Sequence, residues 1–182
     1  APTPASDGER IYALYSSNDL ICLNLDGNPV WMRGLTLDYP NASNSLGMAS
    51  SPMVAGDTLV AQIENDSESF AAGFDLLSGE NKWKQDRPKA ANWTSPTILQ
   101  IGDDKVVALR SSKGIVGVLP GTGSPVFEYA SGAATMPSSV ASGDQLFIPS
   151  NGLTAISAST SGAEPKKLWN ESAQRPGTAS PL

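Results

Sequence analysis

Residues 69–83, SFAAGFDLLSGENKW, decide the fold. Phe70 to Phe74 is an unbroken apolar run of strand length. Asp75-Leu-Leu-Ser-Gly79 follows as a tight turn. Gly79 can take a positive φ without a Cβ clash, and the Asp75 and Ser78 side chains can hydrogen-bond the turn's backbone. Glu80 to Trp83 runs back and ends in a large aromatic. The stretch therefore reads as strand, turn and strand.

The unit recurs along the chain. A Ser/Thr-Pro pair opens each recurrence, at Thr3-Pro4, Ser51-Pro52, Ser95-Pro96, Ser139-Val140 (where Val replaces Pro) and Ser180-Pro181. Counted on the second member, the intervals are 48, 44, 44 and 41 residues. A turn built on Gly and Asp follows each of the first four pairs, and then a second strand: RIYALY, TLVAQI, KVVALR and QLFIPS. These strands show little polar alternation, which suits burial on both faces. The third strand and its turn then match the opening stretch and end at Trp31, Trp83, Phe127 and Trp169. A period of about 40–50 residues made only of strands is the mark of propeller blades. No segment shows a helical period.

Composition agrees and excludes several chemistries. Of 182 residues, 17 are Gly and 14 Pro, an excess of turn formers. The net charge of −6 lacks the basic footprint of a nucleic-acid binder. The chain has no His, which removes His-ligated zinc and Ser-His triads. Its single Cys, Cys22, cannot form an intrachain disulfide and sits in an apolar strand as a small buried residue. No apolar run approaches the ~18 residues of a membrane helix, so no membrane insertion is expected.

The pattern Ala/Gly-x-Asp-x-x-Thr/Ser-Gly-x-x-x-Trp resembles the tryptophan-docking motif of quinoprotein-type (PQQ-like) β-propeller repeat proteins. Gly73, Asp75, Ser78, Gly79 and Trp83 match it position by position. The copy at Cys22, Asn24, Gly27 and Trp31 lacks one residue. Gly117, Thr122, Gly123 and Phe127 form a third copy with Leu119 for Asp, and Ala155, Ser157, Ser161, Gly162 and Trp169 a fourth with insertions. The whole chain is similar to secreted, planctomycete-like PQQ-like repeat proteins and to the outer-membrane assembly lipoprotein propeller. The resemblance implies an all-β propeller of four-stranded antiparallel blades, with each aromatic lying between blades over a small residue and a Gly turn. The blades are expected at 1–47, 48–92, 93–135 and 136–177. Residues 178–182 would start a fifth blade, so the chain is expected to be about half of an eight-bladed ring.

The resemblance also implies candidate functions. The first is a non-catalytic scaffold for protein or ligand binding, in the periplasm or secreted. The alternatives are part of a quinone-dependent oxidoreductase and a sensor or adaptor module of a larger protein. A quinone enzyme needs a catalytic Asp, calcium ligands and a cation, and none can be placed here. No cofactor is therefore expected, pyrroloquinoline quinone and calcium entering only if further blades supply the site. Glu64, Asp66 and Glu68 alternate as calcium ligands do, but they lack the Gly and final Glu of an EF-hand loop. They read more simply as a solvated strand connection. Arg87, Trp93 and Arg110 fall in connections that share one face, and the longest loop, 35–49 with Tyr39, joins it. Arg and Trp are frequent interface anchors. This face is the expected site for a protein partner, or else remaining blades are the partner.

Overall fold

The computed structural model describes residues 2–42, 47, 49–130, 135–175 and 177–181. Parts of the 35–49 loop, and Leu182, lie outside the described residues. The first sheet holds β1 (Ala5–Ser6), β2 (Arg10–Leu14), β3 (Asp19–Asn24) and β4 (Pro29–Gly34). The second holds β5 (Met53–Ala55), β6 (Thr58–Ile63), β7 (Phe70–Asp75) and β8 (Asn81–Asp86). The third holds β9 (Thr97–Ile101), β10 (Asp104–Ser111), β11 (Gly114–Val118) and β12 (Pro125–Tyr129). The fourth holds β13 (Val140–Ser142), β14 (Gln145–Ser150), β15 (Gly152–Ser157) and β16 (Lys166–Glu171). Each sheet has its strands in chain order, all antiparallel. One helical turn, α1 (Leu35–Asp38), lies in the longest loop, where no helix was expected. Its only buried residue is Leu35, and four residues are too few to show a period.

The four sheets pack side by side with a core in each gap. Tyr12, Leu14, Leu20 and Cys22 meet Leu59, Ala61, Ile63, Phe70 and Phe74 between the first two sheets. Val60, Ala71 and Trp83 meet Val107, Leu109 and Val118 in the next gap. Val106, Ala108, Ile115 and Phe127 meet Leu146, Ile148 and Ile156 in the last. Alternate residues of β6 thus serve two different cores, as do those of β10. This is why neither strand shows polar alternation.

The opening stretch folds as its residues require. Gly79 has φ 72°. Asp75 Oδ1 accepts from the Leu77 and Ser78 amides at 2.9 Å each, and Ser78 Oγ accepts from the Glu80 amide at 3.2 Å. In every sheet the small residue of the motif is the register partner of the aromatic: Cys22 with Trp31, Gly73 with Trp83, Gly117 with Phe127 and Ala155 with Trp169. A register shift follows that residue each time, between Cys22 and Leu23, Gly73 and Phe74, Gly117 and Val118, and Ala155 and Ile156. A bulge at one fixed place re-aims the outer strand in all four sheets.

The opening Ser positions form a ladder at the inner strands. The amides of Thr3, Ser51, Ser95 and Ser138 donate to the hydroxyls of Ser51, Ser95, Ser138 and Ser180, each at 2.9 Å. The fourth rung is therefore Ser138-Ser139, one residue earlier than the Ser139-Val140 pair read from sequence. Without a proline to mark it, two adjacent serines left that register ambiguous.

Asp7 shows how a turn carboxylate stabilises the first sheet. Its Oδ1 accepts from the amides of Glu9 (2.9 Å) and Arg10 (2.7 Å), and its Oδ2 from Tyr12 Oη (2.8 Å) and Arg10 Nη1 (2.7 Å). Burial alone would raise its pKa, but the hydrogen bonds from Glu9, Tyr12 and Arg10 outweigh that and hold it at about 2, against an ordinary 3.8. A depressed carboxylate pKa stabilises the fold above the ordinary value and loses that contribution as pH falls toward about 2. Asp7→Asn should cost about 1–2 kcal/mol at pH 7, the scale of charged hydrogen bonds. Urea titrations at a series of pH values should show the gap to wild type closing between about pH 4 and pH 2. A gap that stays constant over that window would refute this account.

Candidate partner-binding face

The loops on one end of the sheets are fixed by a buried polar network. Glu64 directly follows β6, Arg87 directly follows β8, and Arg110 lies near the end of β10. Asn92 bridges to Glu64 as an isolated antiparallel pair. Arg87 Nε donates to Glu64 Oε1 at 2.8 Å, with side chains 5% and 1% exposed. Arg87 Nη2 donates to the Leu109 carbonyl at 3.0 Å. Asn92 Nδ2 donates to Glu64 Oε2 (2.9 Å) and to the Arg110 carbonyl (2.7 Å). Gln62 Nε2 donates to that same carbonyl at 2.5 Å. Arg110 then reaches the fourth sheet, donating from Nη1 to the Pro137 carbonyl (2.8 Å) and from Nη2 to that of Pro149. One network thus ties three sheets.

Burial sets the electrostatics here. It pushes the Glu64 carboxyl above the usual carboxylate range, against the opposing pull of Arg87 and Asn92. It also lowers the Arg110 guanidinium to about 10, which still leaves it charged at neutral pH.

The structure brings together Arg87, Arg110 and Trp93, but with their polar groups turned inward. Both arginines are buried. Trp93 is half-buried; its amide donates to the Thr135 carbonyl (2.8 Å) and its indole to the Gly47 carbonyl (3.2 Å), tying the connections on either side. Tyr39 packs on the second sheet, its ring 4.6 Å from that of Phe70, with Lys84 Nζ 5.0 Å and 4.9 Å from the two ring centroids. What stands outward around them is Lys89 and Lys113. A groove of about 230 Å³ lies beside Pro88, Ser111, Lys113 and Tyr129, and one of about 390 Å³ beside Asn41, Ser67, Glu68 and Lys89.

The acidic run does not converge. Glu64 turns in to Arg87, Asp66 accepts from the Ala91 amide at 3.2 Å, and Glu68 lies 3.8 Å from Lys84. Glu64 is the one buried carboxylate among the described residues, and both its oxygens are taken by Arg87 and Asn92. These residues do not fit a calcium–quinone site. Sequence reading missed Glu64, Gln62 and Asn92 as anchors. The signal was two polar residues, Gln62 and Glu64, closing an otherwise apolar strand.

Four side-by-side antiparallel sheets, with Trp31 and Trp83 laid on the glycine turns at Gly79 and Gly123 of the next sheet, are those of a quinoprotein-type, PQQ-like β-propeller. The chain belongs to the family described as "Outer membrane protein assembly factor BamB", whose model matches residues 1–181. Among solved structures it is similar to BamB from Moraxella catarrhalis, at 14% identity and a TM-score of 0.60 over 96% of this chain and 62% of that one. It is also similar to a chain of a mitotic checkpoint complex (15% identity, TM-score 0.71, 95% and 52% covered). A europium-containing methanol dehydrogenase is a third (10% identity, TM-score 0.64, 94% and 44% covered). The chain therefore spans less than two thirds of each of these. No curated protein sequence matches it. Among the described residues, no helix is long and apolar enough to cross a membrane.

Proposed function

We propose that this chain is a non-catalytic propeller scaffold that binds another protein, outside the cytoplasm, through the face formed by 35–42, 87–93 and 111–114. The observation that carries it is the Glu64–Arg87–Asn92–Arg110 network. It spends its charges on locking three sheets, so the loops above it are held still while Lys89 and Lys113 stand free around two grooves. Loops on a rigid scaffold are where binding concentrates. The family's description as an assembly factor, and the occurrence of a similar fold in a checkpoint complex, support a protein partner. On this reading the Trp31 and Trp83 contacts are docking joints that serve architecture.

Photo-crosslinking residues at positions 89 and 113 should capture a partner from the native compartment. The same residue at Asp103, in an exposed turn at the opposite end of the third sheet, should not. Capture only at Asp103, or equally at all three, would reject this face. The scaffold is also proposed to carry no quinone. Titrating the intact protein with pyrroloquinoline quinone and calcium should leave the quinone spectrum unchanged, and a saturable spectral shift would overturn that.

A further inference from the structure

The joints between neighbouring sheets are not equal. Trp31 of the first sheet lies over Gly79 of the second, and Trp83 of the second over Gly123 of the third, so closely that a Cβ on either glycine would stand 2.7 Å from the ring. In each joint the indole also donates to a turn carbonyl, Trp31 Nε1 to that of Leu76 (3.0 Å) and Trp83 Nε1 to that of Pro120 (2.7 Å). The residue two places on seals the joint. Arg33 Nη1 donates to the Gly79 carbonyl at 2.7 Å, and Gln85 Nε2 donates to that of Gly123. Both glycines are buried.

The joint between the third and fourth sheets is open. Phe127 stands where the other two have Trp, and it lies against its own register partner: a Cβ on Gly117 would fall 2.5 Å from Phe127 Cδ1 and Cζ. The turn glycine of the fourth sheet, Gly162, has the same backbone as the covered ones, with φ 78° against 72° and 74°. Yet it is exposed, with nothing within 4 Å of its Cβ direction. Phe127 has no N–H to give, and among the described residues nothing donates to the Gly162 carbonyl. A groove of about 570 Å³ runs here along the edge strand β12, with Pro125, Val126, Phe127 and Glu128 on one wall and Gly162 and Glu164 on the other. That volume is in the range of ligand clefts. Its charged residues are two exposed carboxylates, Glu128 and Glu164, and neither forms an ion pair among the described residues.

We propose that this groove binds an extended segment of another protein that carries a Trp followed two places on by Arg or Lys. The indole lies on the Gly162 turn and donates to one of that turn's carbonyls. The cation meets Glu128 and Glu164 and reaches the Gly162 carbonyl as Arg33 reaches that of Gly79. This chemistry is read from the chain's own first joint, Trp31-Met32-Arg33, and from the sign of the rim. Trp and Arg are also the side chains that most often anchor interfaces. A second copy of this chain is a poorer occupant. Its Trp169 is 43% exposed, but Glu171 follows two places on and would set a third carboxylate against the rim. The site lies on a strand edge and does not rest on the loop face proposed above.

The probe is an end-blocked peptide with the sequence of residues 29–34, PVWMRG, titrated into the intact protein by isothermal calorimetry. It should bind saturably, and more weakly as salt rises. Trp31→Ala in the peptide should weaken binding about 30-fold, the scale of a lost aromatic anchor. Phe127→Trp in the protein should fill the groove and abolish binding without lowering Tm. Glu128→Lys combined with Glu164→Lys, both at exposed positions, should weaken binding roughly tenfold and tests the site even where Phe127→Trp does not fold. A peptide that fails to saturate, or that binds the folded variants as it binds wild type, overturns the proposal. So does a concentration-dependent dimer in which position 169 of a second copy crosslinks to position 162.

Discussion

Replacing Glu64 with Ala should lower unfolding free energy by about 3–5 kcal/mol, because it leaves a buried guanidinium without its counter-charge. Arg87 is 5% exposed in its side chain, so water cannot take over the role of Glu64. The same change strips a partner from Asn92 Nδ2, which links Glu64 to the third sheet. Glu64→Gln should cost less, since an amide oxygen can still accept from Arg87 Nε, although its amide nitrogen then sets a donor against the Asn92 Nδ2 donor. Arg87→Leu combined with Glu64→Leu should recover much of the loss, because an apolar pair of similar volume removes both desolvation costs. The coupling between the two sites, read from urea titrations of wild type, Glu64→Leu, Arg87→Leu and the double variant, should be large and nearly insensitive to salt, as a buried pair is poorly screened. A Glu64→Ala variant within 1 kcal/mol of wild type would show that the network does not hold the face.

How the fold and the face differed in legibility follows from the range of the interactions. The hairpin of 69–83 is written locally: Asp75, Ser78 and Gly79 bond within their own turn. Its recurrence marks four strand units, and the resemblance places each aromatic over a small residue and a glycine turn. The serine ladder was half legible, because proline marks three of its rungs after the first, Ser51, Ser95 and Ser180, but not Ser138. The polar network was not legible. Arg87 finds Glu64 at 23 residues and Arg110 finds Pro149 at 39, distances at which no periodicity speaks. The sequence put Arg87 and Arg110 in connections that share one face, but does not say which way they point. Direction is decided by backbone carbonyls: Leu109 draws Arg87 inward, while Pro137 and Pro149 of the fourth sheet draw Arg110. Trp169 is the converse case. Its motif reads as a buried joint, yet the residue is 43% exposed.

The second large effect is expected at Gly73. A Cβ there would fall 2.5 Å from Trp83 Cε2 and 2.9 Å from Thr58 Cγ2, with the indole nitrogen nearer still. The obstacle is space rather than backbone, since Gly73 is not among the glycines at positive φ. The wall on one side is an indole pinned to the Pro120 carbonyl and to Gly123 of the next sheet. Gly73→Val should therefore expel Trp83 from its joint and cost about 3–5 kcal/mol, the scale of deleting a core aromatic. Gly73→Ala should cost about 1–3 kcal/mol, as overpacking by one methyl does. Cys22 and Ala155 show that a small side chain can face the aromatic, but in those sheets the turn is one residue shorter or several longer. Loop length and side-chain size thus vary together, glycine standing where the aromatic lies ten positions on, at Gly73 and Gly117. Combining Gly73→Val with Trp83→Ala should cost less than the sum of the two, since the second change removes what the first displaces. Intrinsic fluorescence reports the expulsion directly, as Trp83 moves from a buried to a wet environment. An additive double variant, or a Gly73→Val protein with unshifted fluorescence and near-native stability, would place the strength of this joint somewhere other than the Gly73–Trp83 contact.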